Sequence, residues 1–308
     1  MNLTNNGLFP ARQQGRKEVA LYKKMNNTKV WYITGASKGM GWSLVKELLA
    51  QGHYVAATSR TIAAFEQLKG VSEKFLPLEV DLKSELSVAD SLKRTVATFG
   101  RLDVVVNNAG YGLGGALEEL SSEEIHENFE VNFFAVVRVV QQALPYFRKQ
   151  QAGHIINISS IAGFAPGVGW SMYCAAKFAV SGLSDALAND LRPLGIKVTN
   201  VLPGWFRTNF AKPDSIAYSK KQLADYAYLR EYHKKMNTMD GAQPGDPGKI
   251  AGAFLELVSS ENPPENLFLG SDAVSRAKSR IAQLSGELER WERVSGSTDF
   301  VSVIREER

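Results

Sequence analysis

Cysteine is nearly missing from this chain: Cys174 is the single one among 308 residues, so no internal disulfide can form and a packed core must hold the fold. Long apolar runs are missing as well. No stretch reaches the roughly 20 residues that span a bilayer, and the amino terminus has no signal-peptide core, so we expect a soluble cytoplasmic protein with no membrane span. A charge surplus on the body is the third absence. The net charge is +4 and the pI near 9.0, yet Arg12, Arg16, Lys17, Lys23 and Lys24 against Glu18 in residues 1–27 account for the whole excess. A nucleic-acid partner for the folded body is therefore not expected. There is no repeat at a fixed period and no low-complexity block.

What remains is ordinary and ample. With 44% hydrophobic and 22% charged residues, the chain can bury the core of one large domain. Residues 1–27 are polar, without helical or strand period, and read as a disordered extension; the domain is expected over 28–308. Strands are predicted at 28–33, 53–58, 75–80, 102–107, 154–159, 196–202 and 266–269. Helices are predicted at 40–50, 62–69, 84–99, 122–148, 171–192, 247–259 and 272–295, with Pro145 ending or kinking the fourth. The alternation gives an α/β fold of Rossmann type: a doubly wound parallel sheet of about seven strands with helices on both faces. Residues 205–246 break the rhythm and read as a lid over a substrate.

Two residues carry the chemistry. Tyr173 and Lys177 are four apart in a helix-forming run, so their side chains share one face, one turn apart. A phenol titrates near ~10, and a close cation favours its ionised form, which makes the pair an acid/base device. Upstream, Gly153 to Ile158 reads as a buried strand whose carboxyl end presents Ser159 and Ser160, where ligands of open α/β sheets bind. Near the amino terminus a strand runs into Thr34-Gly35-Ala36-Ser37-Lys38-Gly39-Met40-Gly41, followed by a helix. Backbone without Cβ atoms can approach a pyrophosphate there, and the helix directs free N–H groups at the anion.

Ser160 thirteen residues before the Tyr173-x-x-x-Lys177 pair, the glycine turn, Asn107-Asn108-Ala109-Gly110, Asn132, and Pro203-Gly204 with Thr208 stand in the order of the short-chain dehydrogenase/reductase family. Over residues 28 to 270 the chain resembles that family, most of all its branch of hydroxysteroid and retinol dehydrogenases. The resemblance implies a nicotinamide dinucleotide held by Gly35, Ser37, Lys38, Gly39, Met40, Gly41, Ser59, Arg60, Asp81, Leu82, Asn107, Ala109, Gly110, Tyr173, Lys177, Pro203, Gly204 and Thr208. It also implies a catalytic set of Asn132, Ser160, Tyr173 and Lys177, with no metal. Tyr173 would protonate a carbonyl oxygen, Lys177 would hold the ribose and lower the phenol pKa, Ser160 would donate to the developing alkoxide, and Asn132 would order a water relay.

At the end of the second strand, where an NAD enzyme has an acid, this chain has Ser59 and Arg60, and Lys38 adds a cation in the glycine turn. NADP(H) is thus expected in preference to NAD(H), with no carboxylate at that spot to repel a phosphate. Phe164, Val168, Trp170, Met172, Trp205, Phe206 and Phe210 flank the catalytic elements and suit an apolar carbonyl or secondary alcohol. Val131 to Val140 is apolar around nearly the whole helix, which points to a homodimer or homotetramer or to burial beneath the carboxyl-terminal helix. Two other activities fit the scaffold, a nucleotide-sensing regulator and an epimerase or dehydratase variant.

Overall fold

Four consecutive buried residues, Val30–Ile33, form the first strand (β1), and their alternation separates two cores. The computed structural model describes residues 28–68, 70, 72–208, 210, 215–238 and 241–300; the extension expected at 1–27 lies outside them. Trp31 and Ile33 enter one core with Leu44, Val45 and Leu48 of helix α1 (Gly39–Ala50) and with Ile250 and Phe254 of helix α7 (Ile250–Ser259). Tyr32 enters the other, with Leu92 of α2 (Glu85–Phe99), Val139 and Phe147 of α4 (Ala135–Gln150) and Val180 of α5 (Ser171–Leu191).

The remaining strands of the main sheet are β2 (Tyr54–Ser59), β3 (Phe75–Glu79), β4 (Val104–Asn107), β6 (Gly153–Ile158), β7 (Ile196–Pro203) and β9 (Asn266–Leu269). Every pairing is parallel, in the order β3-β2-β1-β4-β6-β7-β9. The order reverses between β1 and β4, and at such a switch point two loops diverge from the strands' carboxyl ends and leave a crevice. No helix among the described residues is long and apolar enough to cross a membrane.

Three local features depart from the predicted elements. The single helix expected over 122–148 is α3 (Ser122–Phe129), a π-helical turn (Glu130–Phe134) and α4, which runs on past Pro145 to Gln150. A proline removes only its own N–H from the ladder, and here the left-handed Gln151 closes the helix later. The stretch without clear period contains β8 (Ile216–Tyr218) and α6 (Ala227–Asn237), and β8 pairs with β5 (Gly112–Gly114) as a separate two-stranded sheet. The last helix, α8 (Ser271–Gly296), packs its first turns on β9 and on the turn at Ile161–Gly163; it does not cover the 131–140 segment.

Candidate active site

Side chains under β6 fix α5. Ser159 Oγ donates to the Lys177 carbonyl (2.8 Å) and lies 2.9 Å from Ser181 Oγ, while Asn157 Nδ2 donates to Ser184 Oγ (2.9 Å). These bonds hold the helix over the end of β6, so Tyr173 and Lys177 share a face and both are buried. The Lys177 ammonium donates to the Ile158 carbonyl (2.9 Å) and lies 5.9 Å from the centre of the Tyr173 ring. Ser160 follows β6, accepts from Ala162 N (3.1 Å) and hydrogen-bonds the Tyr173 phenol.

The electrostatics reverse one expectation. Burial pushes the Tyr173 pKa up to about 12, against the pull of the Ser160 hydrogen bond, and burial pushes Lys177 down to about 8. In a site this dry, desolvation of each charged form outweighs their mutual attraction, so Lys177 does not bring the phenol below its ordinary value.

Asn132 sits within the π turn, a form of extra winding that recurs at functional sites. Its Nδ2 donates to the carbonyls of Tyr111 and Asn128 (3.0 Å each), and its Oδ1 accepts from Tyr111 N (3.1 Å). A Cβ on Gly110 would stand 2.5 Å from that oxygen and 3.4 Å from Lys177 Nζ, so Asn132 and Lys177 converge on a position that only glycine fits.

The glycine turn is joined to β4. Thr34 Oγ1 accepts from Asn108 N (3.0 Å) and Ala109 N (3.1 Å), and Asn108 Nδ2 donates to the carbonyls of Thr34 and Gly35 (2.9 Å each). Gly35 adopts φ +61°, and a Cβ there would lie 2.7 Å from Ala109 Cα. The N-cap of α1, Lys38, makes no side-chain capping bond, and the first turn holds no acid, so the positive end of the helix faces the crevice uncompensated by a carboxylate. A close-packed glycine backbone beside such a helix end fits a dinucleotide pyrophosphate. Ser37, Gly39, Met40 and Gly41 complete the turn, and Thr208 reaches it from β7: a Cβ on Gly39 would meet the Thr208 Cβ at 3.6 Å. Pro203 ends β7, and Gly204 N donates to Leu269 O (2.8 Å).

Other expected residues are placed differently. The Asn107 side chain is buried and donates to Asn157 Oδ1 (2.8 Å), so it faces the sheet and leaves only backbone for a ligand. Asp81 Oδ1 accepts from Lys83 N (3.0 Å), and Leu82 packs at the edge of the second core. Ser59 and exposed Arg60 do end β2, but Glu79 stands opposite Ser59 in the β2–β3 register, with its carboxylate accepting from Ile62 N (3.1 Å). A carboxylate therefore does lie beside the spot expected to lack one. Of the apolar residues, Trp170 and Phe210 gather around Tyr173 (ring centres 6.1 and 6.2 Å), whereas Phe164 packs under α8 and Phe206 against the first core.

Some contributors have a role that the sequence does not show: Thr34 and Asn108, legible only as members of their motifs, lace the turn, and Ser159, legible only as a strand-end hydroxyl, anchors α5; His233, whose ring centre lies 4.9 Å from that of Trp170, carries no sequence signal at all. Asp272, at the start of α8, accepts from Trp205 N (2.8 Å) and steadies the turn after β7. Buried Glu119 accepts from Ala116 N (3.2 Å), Leu223 N (2.8 Å) and the Arg230 guanidinium (2.6 Å).

The short chain dehydrogenase family model matches residues 29–218. The chain belongs to that family. A short-chain dehydrogenase from Streptomyces avermitilis has the same fold, with a TM-score of 0.81 and 34% identity over 88% of this chain and 100% of that one. Among curated relatives, oxidoreductase BOA17 of Botryotinia fuckeliana is 34% identical, covering 87% of this chain and 98% of its own length. A 3-ketodihydrosphingosine reductase of Bacteroides thetaiotaomicron is 39% identical, covering 75% and 84%. These relatives do not single out the hydroxysteroid and retinol branch. As a short-chain dehydrogenase, the protein is an oxidoreductase that uses a nicotinamide cofactor.

Proposed function

We propose that this short-chain dehydrogenase reduces an apolar ketone, or oxidises the corresponding secondary alcohol, with NADP(H) as the preferred cofactor. The observation that carries the reading is the buried Tyr173 phenol, hydrogen-bonded to Ser160 and backed by Lys177 one turn away. With its pKa raised to about 12, the phenol holds its proton throughout the neutral range and can donate it to a carbonyl oxygen without prior ionisation. The bound nicotinamide supplies or accepts the hydride. Ser160 donates to the same oxygen as negative charge grows there, and Lys177, held by the Ile158 carbonyl, binds the cofactor ribose. Asn132 holds the Tyr111 backbone beside Lys177, which orients the proton path away from the reacting atoms.

Three features support the substrate class. Trp170, Phe210 and Ile216 pack around Tyr173, so a substrate carbon chain would leave water on entry. The segment 215–238 covers this wall and acts as the lid. The relative named 3-ketodihydrosphingosine reductase supports a keto substrate. For the cofactor, Lys38 and Arg60 attract a 2′-phosphate and Glu79 opposes it, so the preference depends on the two cations outweighing one engaged carboxylate. Exposed Phe134, the last residue of the π turn, and exposed Phe178, on α5, support a face for association with a second copy.

Tyr173→Phe tests the assignment, because it removes the exchangeable proton and almost no volume. Turnover should fall by at least about a thousandfold while cofactor affinity, read by fluorescence titration, stays within about twofold. A variant that retained most of its turnover would refute the role of Tyr173.

A further inference from the structure

The first turns of α8 are seated on the body. Ala273 and Ala277 are buried against Ile161 and Ala165, with Phe164 and Phe268 alongside, and the Arg276 guanidinium donates to the Ala165 carbonyl. Beyond Arg280 no residue of the helix is buried, yet its apolar stripe does not stop. Val274, Ala277, Ile281, Leu284, Leu288 and Trp291 recur at alternating spacings of three and four, which is the seam of a two-stranded coiled coil. Ile281 is 54% exposed, Leu288 73% and Trp291 61%. Single exposed apolar residues need no explanation, but a run of them over consecutive turns on one face marks a contact surface.

The charges beside the stripe decide what fits it. Lys278 and Arg280 flank its first half, Glu287 and Glu292 its second, and Arg280 Nε is buried without a hydrogen-bond partner among the described residues. In a parallel pairing the flanks bring Glu287 of one copy against Glu292 of the other. In an antiparallel pairing the basic half of each helix meets the acidic half of its mate, so the surface is complementary to itself about a two-fold axis. A lipid surface fits less well. Around the most exposed part of the stripe stand Glu287, Glu289 and Glu292 against Arg290 and Arg293, whereas helices that lie on anionic membranes carry a basic polar face.

We propose that the distal half of α8, through Ile281, Leu284, Leu288 and Trp291, pairs antiparallel with the same helix of a second copy. This seam is separate from the face around Phe134 and Phe178, and α8 variants tell the two apart. Light scattering after gel filtration of the full chain should show that Leu288→Glu combined with Trp291→Glu removes one step of assembly, halving the mass, with association weakened by at least about a hundredfold. Melting of the subunit itself should not change, since both residues are exposed before pairing. Lys278→Glu with Arg280→Glu, and Glu287→Lys with Glu292→Lys, should each dissociate alone, and an equimolar mixture should re-form a mixed pair. A parent protein that is monomeric at all concentrations would overturn the proposal, as would one whose mass ignores the Leu288/Trp291 substitutions. So would a monomer that sediments with phosphatidylserine vesicles in the parent and not in that variant, which would assign the stripe to lipid.

Discussion

Removing the carboxylate of Glu119 should loosen the segment over the substrate wall and leave the main sheet intact. Its side chain is 1% exposed and accepts from Leu223 N at 2.8 Å, Ala116 N at 3.2 Å and Arg230 at 2.6 Å, while the same guanidinium donates to the Leu223 carbonyl at 2.7 Å. Burial raises the carboxyl pKa, but the two N–H donors and the Arg230 cation outweigh it, so the group lies below the ordinary carboxylate value and stays charged at neutral pH. Glu119→Ala strands two backbone donors at about 1–3 kcal/mol each. The loss of the ion pair adds less, because the Arg230 side chain is 26% exposed and water screens it. A total near 3 kcal/mol corresponds to roughly a hundredfold rise in local opening. Hydrogen exchange resolved by peptide should show that rise over 216–232 and no change in β1, β4 and β6. Glu119→Gln keeps one acceptor oxygen and should show a smaller rise. The KM for substrate should increase more than kcat falls, because the segment as a lid would enclose substrate and supplies no group that moves the proton. A folded-state carboxyl held below its unfolded value loses its contribution as pH falls through the folded value, so acid should open the same peptides in the parent. Unchanged exchange over 216–232 in Glu119→Ala would refute the latch, and an equal rise in β1 and β4 would make Glu119 a support of the whole fold.

Lys177, pushed down to about 8 in the folded chain, binds its proton less tightly than in the unfolded chain, so stability should rise with pH between about 8 and the ordinary lysine value. The shift amounts to roughly 3 kcal/mol, and Lys177→Met should abolish that rise in urea unfolding of the cofactor-free protein. Above pH ~10 Tyr173 acts the other way, because its folded pKa is raised and its contribution is lost as pH climbs to about 12. Ser59→Asp with Arg60→Ala should reverse the ratio of kcat/KM for NADPH over NADH measured at fixed ionic strength, and Glu79→Gln should move that ratio about threefold or more toward NADPH. A parent enzyme with equal values for both cofactors would show that Lys38 and Arg60 do not read the phosphate.

Local pattern explains why so much of the fold is legible. The central strands of the main sheet are short apolar runs, mostly rich in β-branched residues, because a fully buried parallel strand needs such a run, and the edge strands Phe75–Glu79 and Asn266–Leu269 are short apolar runs of leucine and phenylalanine; the sequence reading falls within about two residues of each. The two-stranded sheet of β5 and β8 has no such pattern. Gly112–Gly114 is three residues long, and its partner Ile216–Tyr218 lies about a hundred positions on, so nothing nearby announces either. Helix α6 is illegible for a related reason: Arg230, Tyr232 and His233 break its apolar face, and its packing is against aromatic rings and a buried carboxylate. The π turn is invisible for want of a residue that codes for it; one extra residue in the winding is a tertiary adjustment.

The site divides along the same line. Spacing of three or four along a helix, or a glycine-rich turn after a strand, is written locally, and so Tyr173, Lys177 and the turn at Gly35 to Gly41 can be read from the chain. What those residues do electrostatically is not written locally. The sequence gives Tyr173 a cation four positions away and so predicts a lowered phenol; the fold buries both groups, and desolvation raises the phenol and lowers the ammonium. The burial comes from residues outside the helical pair: Ser159 under α5, Asn132 beside Gly110, and the Trp170 wall completed by Ile216 of the distant second sheet. A dry Tyr173 keeps its proton through the neutral range and has it to give, but almost no phenolate is present to act as a base, while Lys177, lowered to about 8, still carries its charge at neutral pH. Any gain in phenolate for alcohol oxidation must then come from what enters the crevice, since a bound dinucleotide would add new charges and hydrogen-bond partners next to Lys177. The measured pKa of Tyr173 in the parent should therefore be lower with the dinucleotide bound than without it, and ultraviolet titration of the phenol in both states decides the point. An unchanged value would mean that the protein alone sets the acid, and that the lysine serves only to hold the ribose.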